Sequence, residues 1–452
     1  LNIHSKDWQS QPPEKWPEPE LKGHSIPGDR YSSKEFFEKE WEEMWTKVWL
    51  LLGRADEIPE PGDYQMEEVG PESIIMVRQQ DGGIKAFFNV CQHRAARLVF
   101  NEVDSVEAFI CPYHGWRFEL DGELTYARDA EDFPEGDPCG KMNLVEIPCD
   151  TFAGFIWVNM DPDCVSLQEY LGPVWDDWSK YEIDSWKRYL AMTANVPCNW
   201  KIVLDNFNES YHLPTVHPEA DAVVEESYKD TQFDMSAEGH NRMWQQAFKP
   251  SKRRLKNGKD LMDPALAMRM EGWGLDPDDF AGREFESREA VQEQMRKLGP
   301  DMGYTHFDNL KDHQLTDVYH YTIFPNFAVS VWADSFHFLR ARPHPTDPTK
   351  CVFDNWYYAP APEGLETDVL TINGPVARDA EIEHDVFEYG EKSLSPLIDQ
   401  DMGVTLGQQL GLRSRAFKGV YLSHQEWRIR RYHEVIDEYI DGIRPGPNQN
   451  SK

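Results

Sequence analysis

Two short segments bring together side chains that bind transition metals. Cys91-Gln92-His93 and Cys111-Pro112-Tyr113-His114 together read C-x-H-x17-C-x2-H. Each half offers one thiolate and one imidazole. Two Cys on one iron and two His on the other is a ligand set of a [2Fe–2S] cluster, and the neutral imidazoles raise its potential. Pro112 and Gly115 favour a tight loop that lets the second pair converge on the first. Structural zinc sites use the same residue types, but commonly as a C-x2–4-C pair and an H-x3–5-H pair. The mixed pairs therefore favour the cluster over zinc, and zinc over four core residues that meet by chance.

A second group lies in the segment from Asn199 to His217. Trp200, Val203, Phe207 and Tyr211 share one side of a helix, and Asp205, Glu209 and His212 fall on the other. Pro214 is expected to end or kink this helix, and His217 follows it. Two histidines suit a 2-His-1-carboxylate triad, which covers one face of an Fe(II) and leaves positions for O2 and substrate. The H-x4-H spacing alone is unspecific and suits a solvated polar helix face as well. The carboxylate must come from elsewhere in the chain. In Glu381–Tyr389, Ile382, Val386 and Tyr389 form an apolar stripe if the segment is helical, and Asp385 sits about 60° from its centre. Asp385 is the expected third ligand, with Glu381 or Asp379 as substitutes.

The elements that must hold these groups change character along the chain. Ser32-x-x-Glu35 reads as a capping box, and the spacing of Phe37, Trp41, Met44, Trp45 and Val48 predicts a helix over 33–50. From 51 to 159 short β runs alternate with turns: Ser73–Arg78, Ile84–Val90, Ala108–Cys111, Trp116–Leu120 and Phe155–Asn159. Asp81-Gly82-Gly83 and Asp121-Gly122 are hairpin signals between such runs. Helices are predicted over 200–213, 287–297 and 376–390, and β runs over 318–338 and 351–358. Residues 219–315 are highly charged, with a basic run at Lys252–Lys259, and read as an extended, helical or irregular insertion that could cover a pocket entrance.

Both groups resemble those of Rieske non-haem iron ring-hydroxylating oxygenases, in the α (terminal oxygenase) subunit. The resemblance rests on the Cys91–His114 box, on its flanks Pro61-Gly62-Asp63-Tyr64 and Gly154–Asn159, and on N-W-K…D-N…E-x-Y-H-x4-H over 199–217. It departs from the family at Ala95, where Gly is frequent, and at Glu209, where Asp is frequent. The resemblance implies an α+β fold: an all-β Rieske [2Fe–2S] domain over 48–160, inserted before a helix-grip catalytic domain with a central antiparallel sheet, formed by 1–47 and 161–452. Cys91, His93, Cys111 and His114 would hold the cluster, and His212, His217 and a carboxylate from a late helix would hold a mononuclear Fe(II). Glu209 would hydrogen-bond a cluster histidine of a neighbouring subunit, His114 rather than His93; the alternative is a contact to His212 within its own chain. Asp205 would bond a metal ligand, and Asn199 would line the site near the iron. Apolar strands such as Tyr321–Trp332 would shape the pocket.

The implied activity is that of an oxygenase taking NAD(P)H electrons from a ferredoxin or flavin reductase. It would cis-dihydroxylate or monooxygenate an aromatic or similar apolar molecule. The alternative is monooxygenation or demethylation of an N- or O-alkyl or quaternary amine substrate. The implied assembly is a homotrimer or an α3β3 complex. Arg94, Arg97 and Arg117, near the cluster loops, could meet an acidic ferredoxin. A pure electron carrier would leave the His212/His217 segment without purpose.

The net charge of −34 argues against nucleic acid or an anionic membrane surface as the main partner. No apolar run is long enough for a membrane helix. Seven cysteines spread over 452 residues read as reduced thiols plus a metal site rather than a disulfide framework, in keeping with a cytoplasmic enzyme. Leu1–Glu20 is polar and Pro-rich and is expected to be a surface arm, not a secretory signal. The tail Pro445–Lys452 is expected to fray.

Overall fold

A computed structural model describes residues 25–445. The expected N-terminal arm, and the tail beyond Pro445, lie outside the described residues. The chain forms two compact units: one holds Lys39–Tyr170 and the described residues from Tyr439 on, the other the residues up to Glu38 and Leu171–Glu438.

The first helix, α1 (Lys34–Glu43), is shorter than the 33–50 expected. Ser33, not Ser32, caps it, its Oγ accepting from Phe36 N at 3.2 Å. The smaller unit is built from short antiparallel strands. β1 (Leu50–Arg54), β2 (Asp63–Val69), β3 (Glu72–Arg78), β4 (Ile84–Phe88), β5 (Val103–Ser105) and β6 (Phe109–Ile110) come first. β7 (Arg117–Phe118), β8 (Leu124–Tyr126), β9 (Glu146–Ile147), β10 (Cys149–Phe152) and β11 (Phe155–Val158) complete it. They pair as β1-β11-β10, β5-β2-β3-β4-β9 and β6-β7-β8. Gly82 and Gly122 take the left-handed backbone that the two predicted hairpin turns require. Ile75, Val77, Phe87, Trp116 and Phe118 form one buried cluster that also takes in Cys91 and Cys111.

Helix α2 (Leu167–Leu171) ends the smaller unit's first stretch, and in the larger unit α3 (Pro173–Trp178) leads to β12 (Lys187–Val196), α4 (Trp200–Phe207) and α5 (Leu213–Val216). Then come β13 (Gln232–Met235), β14 (Asn241–Gln245), α6 (Lys252–Lys256), α7 (Pro264–Glu271), α8 (Ser287–Leu298) and α9 (Asp312–Thr316). β15 (Val318–Ile323), β16 (Phe327–Trp332), β17 (Ser335–Pro343), β18 (Cys351–Ala359) and the hairpin β19 (Val369–Thr371) and β20 (Gly374–Val376) follow. β21 (Asp385–Glu388), α10 (Pro396–Gly411) and α11 (Trp427–Ile440) close the fold. The central eight-stranded sheet runs β13-β14-β15-β16-β17-β18-β12-β21, antiparallel except for the β12–β21 edge pair. The fold is thus α+β with a central, mainly antiparallel sheet.

Two expectations give way to the tertiary structure. Residues 219–315 are not a mere insertion, because β13 and β14 lengthen the sheet and every residue of Asn241–Gln245 is buried. The helix expected over 376–390 is absent. Val376 ends a hairpin and 385–388 form an edge strand, since pairing with β12 satisfies more backbone groups than an isolated turn of helix. Its apolar stripe is not a core face, for Val386 is 59% exposed.

Candidate metal centres

The two cluster loops share one backbone design. Cys91 N donates to Ala96 O at 2.8 Å and Ala95 N to Cys91 O at 3.0 Å. Cys111 N donates to Trp116 O at 2.8 Å and Gly115 N to Cys111 O at 3.0 Å. The fifth residue of each loop is left-handed, Ala95 at φ 59° and Gly115 at φ 73°. Each loop thus curls back on its cysteine and presents the histidine beside it.

Cys91 and Cys111 are buried and adjoin each other. The rings of His93 and His114 lie 4.5 Å apart, with His93 stacked on Trp116 at 4.7 Å. Nδ1 of both histidines is buried without a partner. Buried polar nitrogens are normally satisfied, so two orphans facing one region fit a missing ligand-bound atom. Among the described residues, no three of these four donor atoms lie within 4.8 Å of one another. A tetrahedral zinc set would bring its donors to about 3.3–3.8 Å. The spread fits a Cys pair and a His pair on two different irons. Burial first, and Cys111 beside it, push the Cys91 thiol up, so cluster binding must displace protons.

The second centre begins at α4. Asn199 caps this helix, its side chain accepting from Lys201 N at 2.9 Å. Asn199 Nδ2 donates to Pro348 O at 2.5 Å, so both polar ends of the side chain expected near the iron are engaged in closing a helix end. α4 is buried on nearly every side, unlike a half-solvated helix. It ends at Phe207, six residues before the expected boundary, because Asn208, Glu209 and Ser210 spend their side chains on local and cross-strand bonds. Asn208 Oδ1 accepts from Thr322 Oγ1 at 2.6 Å, and Ser210 Oγ accepts from Gln245 Nε2 at 3.0 Å. The turn is thereby laid on the sheet. Pro214 does not end a helix but starts the single turn of α5, with His212 at its N-cap and His217 at its C-cap.

The histidines meet a carboxylate from α10. Asp401 Oδ1 lies 2.8 Å from His217 Nε2 and 3.5 Å from His212 Nε2. Asn206 Nδ2 also donates to it, at 3.0 Å. Among the described residues, His212, His217 and Asp401 are the group whose ligand atoms all lie within 4.8 Å of one another. Nδ1 of each histidine is held from behind, by Glu209 Oε1 at 2.6 Å and Gln400 Oε1 at 2.7 Å, which aims each Nε2 at the centre. Burial disfavours the charged form of His217, but the bond to Asp401 and its charge outweigh this and raise its pKa. A proton there occupies the place a cation would take.

The expected carboxylate is therefore corrected. Asp385 lies on an edge strand, 47% of its side chain exposed, and pairs with Lys392 at 2.7 Å. Glu381 and Asp379 lie in the irregular stretch before it. The sign of Asp401 was present in the sequence: Ser395-Pro396 starts a helix, and Asp401 falls on its buried stripe of Ile398, Met402, Thr405 and Gln409. Asp205 does not bond either histidine ligand. It accepts from Tyr31 OH at 2.6 Å and bonds His433 Nε2 at 3.0 Å. Glu209 makes the contact within its own chain: besides the ring, it accepts from His212 N at 3.0 Å.

A family model for the catalytic domain of ring-hydroxylating alpha subunits matches residues 183–442, and one for the Rieske [2Fe-2S] domain matches residues 48–136. The chain belongs to the Rieske ring-hydroxylating oxygenase alpha-subunit family. The family's two matched domains imply a [2Fe-2S] cluster and a mononuclear iron, and the two residue sets above fit them. The chain is 35% identical over 196 residues to the carnitine monooxygenase oxygenase subunit of Escherichia coli, covering 43% of this chain and 52% of that one. It is 30% identical over 314 residues to the glycine betaine monooxygenase oxygenase subunit of Chromohalobacter salexigens, covering 65% and 66%. The large oxygenase component of the naphthalene 1,2-dioxygenase system of Pseudomonas aeruginosa is 34% identical over 200 residues, covering 43% and 44%. The chain spans about half the length of the first curated relatives it matches. The fold is shared with a quaternary ammonium Rieske monooxygenase in complex with L-carnitine, at TM-score 0.64 and 20% identity over 94% of this chain and 99% of that one. It is shared with naphthalene 1,2-dioxygenase with indole bound, at TM-score 0.60 and 19% identity over 93% of each chain. No helix among the described residues is long and apolar enough to cross a membrane.

Proposed function

We propose that the chain is the terminal oxygenase of a Rieske system that monooxygenates a quaternary ammonium compound, with electrons from a ferredoxin or flavin reductase. The observation that carries the oxygenase reading is the meeting of His212, His217 and Asp401 in a chain that also bears the Cys91–His114 box. The substrate class rests on relatives named for carnitine and glycine betaine. When bound, the cluster and the iron supply electron storage and O2 chemistry.

The chain's own residues do the rest. Cys91 and Cys111 supply thiolates, and His93 and His114 supply Nδ1. His212, His217 and Asp401 leave part of the iron's surface open to substrate. Glu209 and Gln400 keep both ligand imidazoles aimed. In a homotrimer, Glu209 would also link to His114 of the partner subunit and so join the two metal sites. Dihydroxylation of an aromatic substrate is the second reading, favoured by the naphthalene dioxygenase relative.

The test is the purified chain with a surrogate reductase. A visible spectrum and iron content assess the metals, and product mass assesses the chemistry. Gain of one oxygen, or loss of an alkyl group, from a quaternary ammonium substrate supports the proposal. Gain of two oxygens and two hydrogens on an arene selects the second reading. A colourless protein holding zinc refutes both.

A further inference from the structure

Arg428 on α11 is fully buried. Among the described residues, the other fully buried arginines each hold a carboxylate: Arg54 holds Asp56, Arg242 holds Asp177 and Asp234, Arg340 holds Asp354, and Arg431 holds Glu438. Arg428 donates only to neutral acceptors. These are Asn241 Oδ1 at 2.6 Å, Thr322 Oγ1 at 2.9 Å and His320 Nδ1 at 3.2 Å, and its Nη1 is buried without a partner. Glu209 acts on Arg428 at longer range without bonding it, and a buried cation with no directly bonded counter-charge is costly. The unpartnered Nη1 of Arg428 leaves room for a further anion nearby.

The bond to His320 also fixes a tautomer. Arginine only donates, so Nδ1 of His320 accepts and Nε2 carries the hydrogen. Among the described residues that Nε2 has no partner, yet it is not sealed from solvent, and His320 keeps 8% of its surface accessible. Ser330 stands directly opposite His320 on the next strand, and His337 opposite Ser330 on the one after. Ser330 Oγ likewise has no partner among the described residues and is not sealed from solvent. The three side chains thus form a polar row on the face where Thr322 holds the ligand-bearing turn. The row is within electrostatic reach of the metal ligands, for His212 acts on His320 and Asp401 acts on His337.

We propose that His320 and Ser330 form the subsite that anchors a carboxylate of the substrate, with Arg428 behind His320 as the positioning residue. The proposal rests on the oxygenase reading and sharpens its substrate class. Adjacent strands lie about 4.8 Å apart, so Nε2–H of His320 and O–H of Ser330 can donate to the two oxygens of one carboxylate. His337 sets the limit of the subsite. Its Nε2 donates to Asn355 Oδ1 at 2.7 Å, an orientation fixed because Asn355 Nδ2 donates to Leu394 O at 2.9 Å. Burial keeps His337 neutral, with a pKa of about 4, so its Nδ1 presents a bare lone pair that repels a carboxylate. The acid group therefore sits at the His320 end of the row.

The test measures calorimetric binding to the full chain with two matched pairs. One is trimethylammonium butyrate against the matching trimethylammonium butanol, and the other is naphthoate against naphthylmethanol. The acid of at least one pair should bind roughly 10–100-fold tighter than its alcohol, the range of one hydrogen bond to a charged group. His320→Leu should abolish that preference, His320→Gln, which keeps an N–H at similar reach, should restore part of it, and Arg428→Met should weaken acid binding while leaving the alcohol unchanged. If Arg428→Met or His320→Leu fails to fold, His320→Gln and Ser330→Ala carry the test, each lowering the acid preference. Preference within the naphthalene pair alone supports the subsite and refutes the quaternary ammonium reading. Absence of acid preference in both pairs, or a preference that His320→Leu leaves intact, overturns the subsite. Turnover of either alcohol then leaves the oxygenase reading standing.

Discussion

Exchanging Asp401 and Asp385 in turn distinguishes the carboxylate that the tertiary structure brings to the histidines from the one expected on local pattern. Asp401 is buried, lies 2.8 Å from His217 Nε2 and accepts from Asn206 at 3.0 Å. Asp401→Ala removes one of three protein ligands and leaves Asn206 Nδ2 unsatisfied. Loss of an outer partner of a metal ligand costs 10–100-fold in affinity, about 1.4–2.7 kcal/mol, and loss of the ligand itself should exceed that. The orphaned amide adds about 1–3 kcal/mol of destabilisation. Asp385→Ala breaks an exposed pair with Lys392 and should cost about 0–1 kcal/mol with no change in iron. The assay is iron per chain after anaerobic Fe(II) loading and desalting, with the visible cluster spectrum as an internal control. Asp401→Ala should keep the cluster spectrum and lose the mononuclear iron. A variant pair in which Asp385→Ala loses that iron while Asp401→Ala retains it would refute the assignment.

Three further outcomes follow from named contacts. Ala95 sits at φ 59°, the position its sister loop gives to Gly115, so Ala95→Gly should stabilise the smaller unit by about 1 kcal/mol and raise its thermal midpoint; a lowered midpoint contradicts the strain. The raised pKa of His217 implies a contribution to the stability of iron-free protein that is present below about pH 6.5 and lost as pH rises through the folded value. His313 and His337, which burial holds at about 3 and about 4, run the opposite way and weaken the fold as pH falls below about 6.5. The difference in melting temperature between wild type and His217→Gln should therefore shrink from pH 6 to pH 8 (roughly the titration window), and a difference that grows argues against the Asp401 pairing. Asp354 is buried against Arg340 at 2.6 Å and Arg342 at 3.0 Å, and although burial raises its pKa the two cations bring it down to about 2. Asp354→Ala should cost about 3–5 kcal/mol in urea unfolding by leaving two arginines uncompensated; a loss below about 1 kcal/mol contradicts that account.

The cluster box was legible because its information is local. Two ligands at i and i+2, two at i and i+3, and a turn residue after each pair determine loop shape from nearest neighbours alone. The short β runs of the smaller unit followed for the same reason, and β3, β4 and β11 lie within two residues of the predicted runs. His212 and His217 were visible as a pair, though not their setting. A proline that reads as a helix breaker in isolation proves to be a helix starter once Asn208 and Ser210 are tied to the sheet.

What only the tertiary structure decided is every choice between distant, chemically equal candidates. Of 80 acidic residues, the one that meets His217 lies 184 positions away, and residue type cannot separate it from Asp385. Strand pairing turned a helix-like stripe at 382–389 into an exposed edge, and added β13 and β14 to a sheet from a segment too charged to announce them. The row of His320, Ser330 and His337 exists only because three strands pair in that register, and Arg428 matters because its direct partners are all neutral. Local chain geometry is written in neighbouring residues. Burial, charge compensation and long-range metal geometry belong to contacts that only the folded chain creates.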